Sequence, residues 1–513
     1  MPQIKDLGKG GLNLDTSPVI LPPNVFTDGL NIRFKDDSVE MITGEALGRV
    51  LPIAADFGIH WRRPDQGYNL FAKDGNVVKV DASGSTSSMF SSTDSKYTNS
   101  DWQATHFNGG YAVIFNNGKS TPLYCLYGDA VSSTTLQPLP NWNYTAGLTI
   151  TAKVIRSLNY SLVAANLTIA DSGLGTTSYA PSTIRVSTQA PTGGIPQTWK
   201  PGLTTDTADE FEVSSTSPIL DMAELRGNLF IYSQDSVSYL TIGSQTVLRP
   251  YSKTHGIMNT DCVVEFDGKH FVVDNNDIYV HNGSGLPESI LNKRLKKYFF
   301  SNLNKSATEK VVVTRDRYHK EIWVSYPKGT ATICTEALIY NYVDNTWTKR
   351  TLPNLTYSFA GPLTESNSFK YAREVINITT NTTQTLVTDD NYVMYNGTAL
   401  VNIFSFLEKK KINSGDITQN VLLDTIHPCF DIVPTNSSII FTIVGQNAYA
   451  KDISLTESVN PLNIFEFTPN VNTSKGYKVD PRENGRFINM RISSSGYWRL
   501  PLFSVEFKPA DRR

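Results

Sequence analysis

The side chains of this sequence with most chemistry to offer are its carboxylates, histidines and cysteines, and their spacing brings few of them together. Acid pairs such as Asp36-Asp37 and Asp389-Asp390 invite comparison with glycosidases, which need two acids about 5 to 9 Å apart flanking a sugar. Both pairs sit among turn-forming residues, where Asp serves its own backbone hydrogen bonding. The seven histidines are dispersed, whereas a metal centre needs several ligands at once. His270 and His281, on or beside expected strands, read as structural. Cys125, Cys262, Cys334 and Cys429 lie far apart without a CxxC pair, so a zinc site or disulfide framework is not expected and all four read as reduced core residues. The sequence contains no GxSxG, HExxH or Walker A motif, no strand-anchored GxGxxG and no sialidase Asp box. The expectation is a protein that is not an enzyme and takes no cofactor or metal.

One basic run stands out: Lys293, Arg294, Lys296 and Lys297. It reads either as a patch facing DNA or an acidic partner, or as the solvated side of an amphipathic helix over 287–300. In that helix Ile290, Leu291, Leu295 and Phe299 share a face, and Pro287 or Ser289 marks the start.

The elements that must position these groups are strands. Short β runs broken by Gly, Asn and Asp recur along the chain, with turns expected at Asp74-Gly75, Asn117-Gly118, Arg226-Gly227 and Asp267-Gly268. Tyr and Phe, 24 of each, and 34 glycines favour strands and turns over helices. Strand-only units of roughly forty residues suggest propeller blades, since each small sheet needs neighbours on both faces. β-Sandwiches remain the alternative for residues 30–360. The fold class expected is all-β, a degenerate β-propeller with a C-terminal β-sandwich-like domain. The expected division is an N-terminal arm at 1–27, a propeller at 28–362, a polar connecting segment at 363–400 and the sandwich at 401–513.

Charge and hydropathy narrow the function classes. A net charge of −2 from 46 basic and 48 acidic residues gives no reason to expect tight wrapping of nucleic acid, though DNA sliding past is permitted. No apolar run approaches the length that spans a bilayer, and the first residues lack the apolar core of a signal peptide. The expectation is synthesis in a bacterial cytoplasm.

Several stretches, in one order along the chain, are less generic. They include 10–15, 21–34 and 39–44 near the start, 181–187, 256–271, 277–283 and 321–327 in the middle, and 407–412 and 485–491 near the end. Together they resemble the tail nozzle, or packaged-DNA stabilisation, proteins of short-tailed podovirus-type bacteriophages. The resemblance implies a virion structural protein of the tail that forms a homo-oligomeric ring, usually a hexamer, below the adaptor and portal. Such a ring encloses the DNA exit channel, retains packaged DNA until ejection, passes genomic DNA without sequence specificity and offers attachment surfaces to fibres or spikes. The alternatives are a tail-associated receptor- or glycan-binding propeller and a propeller hydrolase of host polysaccharide.

Overall fold

The computed structural model describes the chain except for residues 1–2, 82, 99–100, 203–206, 244, 363–370, 378–383, 389–391, 396–398, 414–416, 433, 435–436, 450–452, 457–463, 468–477 and 511–513. The regular secondary structure of the described residues is nearly all strand, and none of their helices is long and apolar enough to cross a membrane.

Five consecutive four-stranded antiparallel sheets occupy 57–91, 103–138, 148–212, 219–252 and 263–289, and in each the strands follow in chain order. The hairpins form where two-residue turns accept positive φ. Arg226-Gly227 and Asp267-Gly268 both do so, and this local twist matches that of the flanking strands. A glycine is also demanded at position 75 by close approach, because a Cβ there would lie 1.8 Å from the Ser92 carbonyl oxygen.

A seven-stranded sheet completes the ring as two blades. Val312–Asp316, Glu321–Tyr326 and Cys334–Asn341 pair in sequence, followed by the 17-residue strand Thr346–Pro362. Its register shifts near Leu355, so that the first half closes the sixth blade and the second half pairs with Tyr371–Asn377. This second half lies beside the first strand of blade six, where the Thr314 hydroxyl donates to the Ser358 carbonyl at 3.1 Å. It also meets the first strand of blade one, where the Tyr357 and Phe57 rings are 5.1 Å apart. It is therefore the inner strand of a seventh blade, completed by Gln384–Thr388 and, on the outside, by Glu45–Val50 from ahead of blade one.

Separate hydrophobic clusters fill the seams between blades one and two, two and three, and three and four. Others fill the seams between six and seven and between seven and one; the last holds Phe71 against Phe359. Each small sheet thus buries both faces, as the propeller reading requires.

The remaining strands build a sandwich. One sheet runs Gln3–Ile4, Leu502–Pro509, Val421–Cys429, Glu483–Gly485, and the other runs Asp28–Leu30, Ser405–Ile412, Phe487–Ser494, Ile439–Gln446, Ile464–Phe467. A small third sheet joins Ile32–Lys35 and Ser38–Met41 to Arg499–Leu500. Its core, including Leu423, Phe441, Ile488 and Phe503, is continuous with the cluster that fills blades four to six.

The domain boundaries differ from the sequence expectation. Residues 3–27 are not a free arm, because Gln3–Ile4 is a sandwich strand and the Leu12 amide donates to the Trp347 carbonyl at 2.9 Å. Residues 28–41 pair with the sandwich rather than the propeller, since Asp28–Leu30 joins Ser405–Ile412 and Ser38–Met41 joins Arg499–Leu500. The stretch 363–400 does more than connect, contributing two strands to the seventh blade. Lys409 strengthens the join: its buried ammonium donates to the carbonyls of Pro22 and Val25 at 2.6 and 2.7 Å, fixing the N-terminal loop to the sandwich.

The helix expected over 287–300 is shorter and later, Lys296–Asn302. Glu288–Ser289 is instead the outer strand of blade five. The helix starts where the Asp15 carboxylate accepts the amides of Lys297 and Tyr298 at 3.0 and 3.4 Å, a capping interaction from a distant segment. Of the four residues expected to share a face, Leu291, Leu295 and Phe299 are fully buried and Ile290 is half-buried, but only Phe299 lies within the helix.

Candidate functional site

The basic run is divided by the fold. The Arg294 guanidinium donates to the Asn345 carbonyl, and the Arg294 carbonyl accepts the amides of Leu14 and Asp15. Lys296 pairs with Asp277 at 3.2 Å. Lys293 and Lys297 are exposed, and the Lys293 carbonyl accepts the Thr16 hydroxyl at 3.0 Å. The run is thus split into two cations held by other blade residues, Arg294 by Asn345 and Lys296 by Asp277, and two surface cations.

Asp36-Asp37 is a hairpin turn with positive φ at both residues, while Asp389-Asp390 falls outside the described residues. Cys125, Cys262 and Cys334 are buried, but Cys429 is exposed, because it ends the strand Val421–Cys429 at the sandwich rim.

The histidines are less isolated than sequence suggests. His270 and His281 sit opposite each other on adjacent strands of blade five, and Tyr232 of blade four reaches between them. Its hydroxyl oxygen lies 2.6 Å from His270 Nδ1 and 2.7 Å from His281 Nε2. The surroundings assign every proton. His270 Nε2 donates to the Glu224 carbonyl at 2.9 Å, so its Nδ1 accepts the tyrosine proton. His281 Nδ1 accepts the Gly283 amide at 3.3 Å, so its Nε2–H donates back to Tyr232. Burial drives the imidazole pKa values down, to about 4 for His270 and about 3 for His281, and raises that of the Tyr232 phenol well above its ordinary value. The cluster is a neutral, saturated clip between two blades.

Asp316, His319 and Glu321 bring ligand-type atoms within 4.8 Å of one another, but those atoms are in use. Asp316 accepts the amides of Tyr318 and His319, each at 3.0 Å, and His319 Nδ1 at 2.7 Å. Glu321 takes both arms of the buried Arg33 guanidinium and the indole N–H of Trp323. The donor set fits an internal ion-pair network better than a metal, whose ligands must point their lone pairs at one centre.

What remains is the space along the propeller axis. At the N-terminal ends of the inner strands a cavity of about 440 Å³ is lined by Asp56, Lys73, Lys153, Asp261, Lys310 and Tyr357, among others. A constriction of about 220 Å³ lies beyond it, walled by Phe57, His60, Arg156, Tyr357 and Phe359. The opposite mouth, about 820 Å³, is lined by Arg62, Arg63, His106, Tyr111, Asn159, Glu224 and Arg317 with neighbouring backbone.

Asp261 lines the first two spaces with positive φ. Burial, with the nearby charge of Asp221 adding to it, raises its carboxyl pKa to about 6, and Tyr357 hydrogen-bonds to it. Asp221 itself is saturated by Arg156 at 2.6 Å and by the amides of Met222 and Asp261. Asp261 can therefore exchange a proton near neutral pH. Sequence reasoning missed this pair because 221 and 261 begin successive blades, and only the packing of one blade on the next makes them adjacent.

No protein-family model matches the chain, and no curated protein matches it. Among solved structures it is similar to a selenomethionine-substituted virginiamycin B lyase from Staphylococcus aureus, at 9% identity over 70% of this chain and 98% of that one, with a TM-score of 0.38. It is also similar to U3-55K, at 6% identity over 67% of this chain and 98% of that one, with a TM-score of 0.40. At these values neither likeness carries an argument, and the propeller rests on the strand pairing described above.

Proposed function

We propose that the chain is a structural subunit of a bacteriophage tail. It would form the nozzle ring below the adaptor, retain packaged DNA until ejection and offer attachment surfaces to fibres or spikes. The ordered resemblance of its segments to nozzle proteins supports this reading. The structural observation that carries it is the continuous core joining propeller and sandwich, stapled by the N-terminal segment. Such a two-part body can hold fixed head-to-tail contacts on both neighbours, which a closed ring requires.

The axial spaces of the propeller, about 440, 220 and 820 Å³, are far too small to thread a duplex. In this reading the DNA path is consequently lined by outer surfaces of several subunits around the ring axis. A near-neutral subunit suits a channel in which DNA slides without sticking. Mass measurement of the purified chain and DNA retention in particles lacking it test the proposal. Ring-sized assemblies and leaking particles are expected; a strict monomer together with particles that keep their DNA would overturn it.

A further inference from the structure

Blade three is longer than its neighbours. Its first three strands, Leu148–Leu158, Ser161–Asp171 and Thr176–Val186, have 11 residues each, against at most 7 in blades one, two, four and five. The excess runs past the outer strand. Asp209–Glu212 pairs only with Thr183–Val186, which leaves Thr176–Ala180 as an edge with no outer neighbour among the described residues. Residues 147–152 and 166–181, which build this projection, carry one charge, Asp171. Its carboxylate is taken up by the amides of Gly173 and Leu174 at 2.8 and 3.2 Å, which fixes the tip. Leu174 and Tyr179 stand out from the projection, 76% and 77% exposed. Open strand edges of soluble proteins are normally guarded by charge, and an uncharged edge with exposed apolar groups is a template for pairing with another chain.

Charge identifies that chain. Beside the open edge, Asp209 and Glu212 are exposed and pair with no cation among the described residues, whereas Glu210 is spent on Arg185. The fold leaves a matching pair elsewhere: Lys293 and Lys297, in the crossover from blade five to blade six, are exposed and have no ion-pair partner among the described residues. Seven blades are spaced by about 51° around a propeller axis, so the acidic and basic patches lie two to three blades, about 100–150°, apart. Patches so separated do not fit one two-fold interface, but they can meet head to tail, the acids of one copy on the lysines of the next. In a six-membered ring the two neighbours of a subunit lie about 120° apart as seen from it, within that span.

We propose that the outer side of blade three is the surface by which this chain binds a second copy. The Thr176–Ala180 edge, Leu174 and Tyr179 are covered by the next subunit, and Asp209 and Glu212 face Lys293 and Lys297 of that subunit. The inference rests on the ring reading and names the contact that closes the ring.

Charge reversal in the full-length protein tests it, with assembly followed by sedimentation velocity and mass photometry over a dilution series. Wild type should form the ring. Asp209→Lys with Glu212→Lys, or Lys293→Glu with Lys297→Glu, should each raise the concentration needed for half assembly about tenfold or more, because like charges then face each other. The four substitutions together should restore assembly, which a loss caused by damaged folding would not allow. Leu174→Asp with Tyr179→Ser should weaken assembly to a similar extent, with the thermal unfolding midpoint of the subunit unchanged. A ring indifferent to either reversal, or a fourfold variant that stays apart, would overturn this contact and leave the ring reading standing; a wild type that is strictly monomeric would overturn both.

Discussion

Replacing Tyr232 with Phe removes one oxygen and orphans two buried partners. His270 Nδ1 loses its donor and His281 Nε2–H loses its acceptor, in a seam where the residues are at most 3% exposed. Leaving a buried polar group unsatisfied costs about 1–3 kcal/mol, so with two orphaned the variant should lose about 2–6 kcal/mol. Urea unfolding at pH 7.5 measures the loss. Hydrogen exchange along Asn228–Ser233 and Lys269–Val273 should localise it, because those strands carry the clip.

The pH dependence follows from the same geometry. Both histidines have folded pKa values, about 4 and about 3, below the ordinary 6.5. From pH 6.5 down to about 4 the unfolded chain binds more protons, so stability falls as pH falls. The slope reaches about 1.4 kcal/mol per pH unit for each histidine. Asp261 acts in the opposite sense: its raised pKa favours the folded state at low pH, and that contribution is lost as pH rises through about 6. Comparing wild type with His270→Phe at each pH separates the two. A Tyr232→Phe loss below about 0.5 kcal/mol, or an acid limb identical in His270→Phe, would refute the saturated-clip reasoning.

Three other perturbations probe the fold. Arg350 and Glu45 form an ion pair that is fully buried, and Arg350 stacks over Trp323 at 5.1 Å. Glu45→Ala should cost about 3–5 kcal/mol in thermal or chemical unfolding, and adding Arg350→Met should recover part of that loss. Asp15→Ala should remove about 1 kcal/mol, read as faster amide exchange at Lys297 and Tyr298, with the rest of the propeller unaffected. Thiol labelling of the native protein should modify one cysteine rapidly, Cys429. Cys125, whose thiol burial pushes up to about 12, and the buried Cys262 and Cys334 should react only on unfolding.

The all-β class and most hairpins were legible because turn residues and alternating apolar positions are local signals. Asp267-Gly268 and Arg226-Gly227 form turns where expected. The seventh blade was not legible: its outer strand, Glu45–Val50, and its partner, Gln384–Thr388, are more than three hundred residues apart and meet only when the ring closes. The same holds for the N-terminal strands, whose apolar residues read equally well as a first blade until Leu502–Pro509 and Ser405–Ile412 claim their edges. Among candidate sites, the basic run was visible but its division was not, since Asp15, Asp277 and Asn345 reach it from other elements. The Tyr232 clip leaves no motif, because Tyr232 comes from blade four and its two histidines from facing strands of blade five.

In the proposed reading this two-part β body works as one member of a ring around a DNA path built between subunits. Cryo-electron microscopy of intact particles, with the portal vertex reconstructed under six-fold symmetry, tests it most directly. Copies of this chain should then appear in a closed ring beneath the adaptor, with DNA density between propellers and none through a propeller axis. Density for the chain confined to peripheral spikes, or its absence from the vertex, would contradict it.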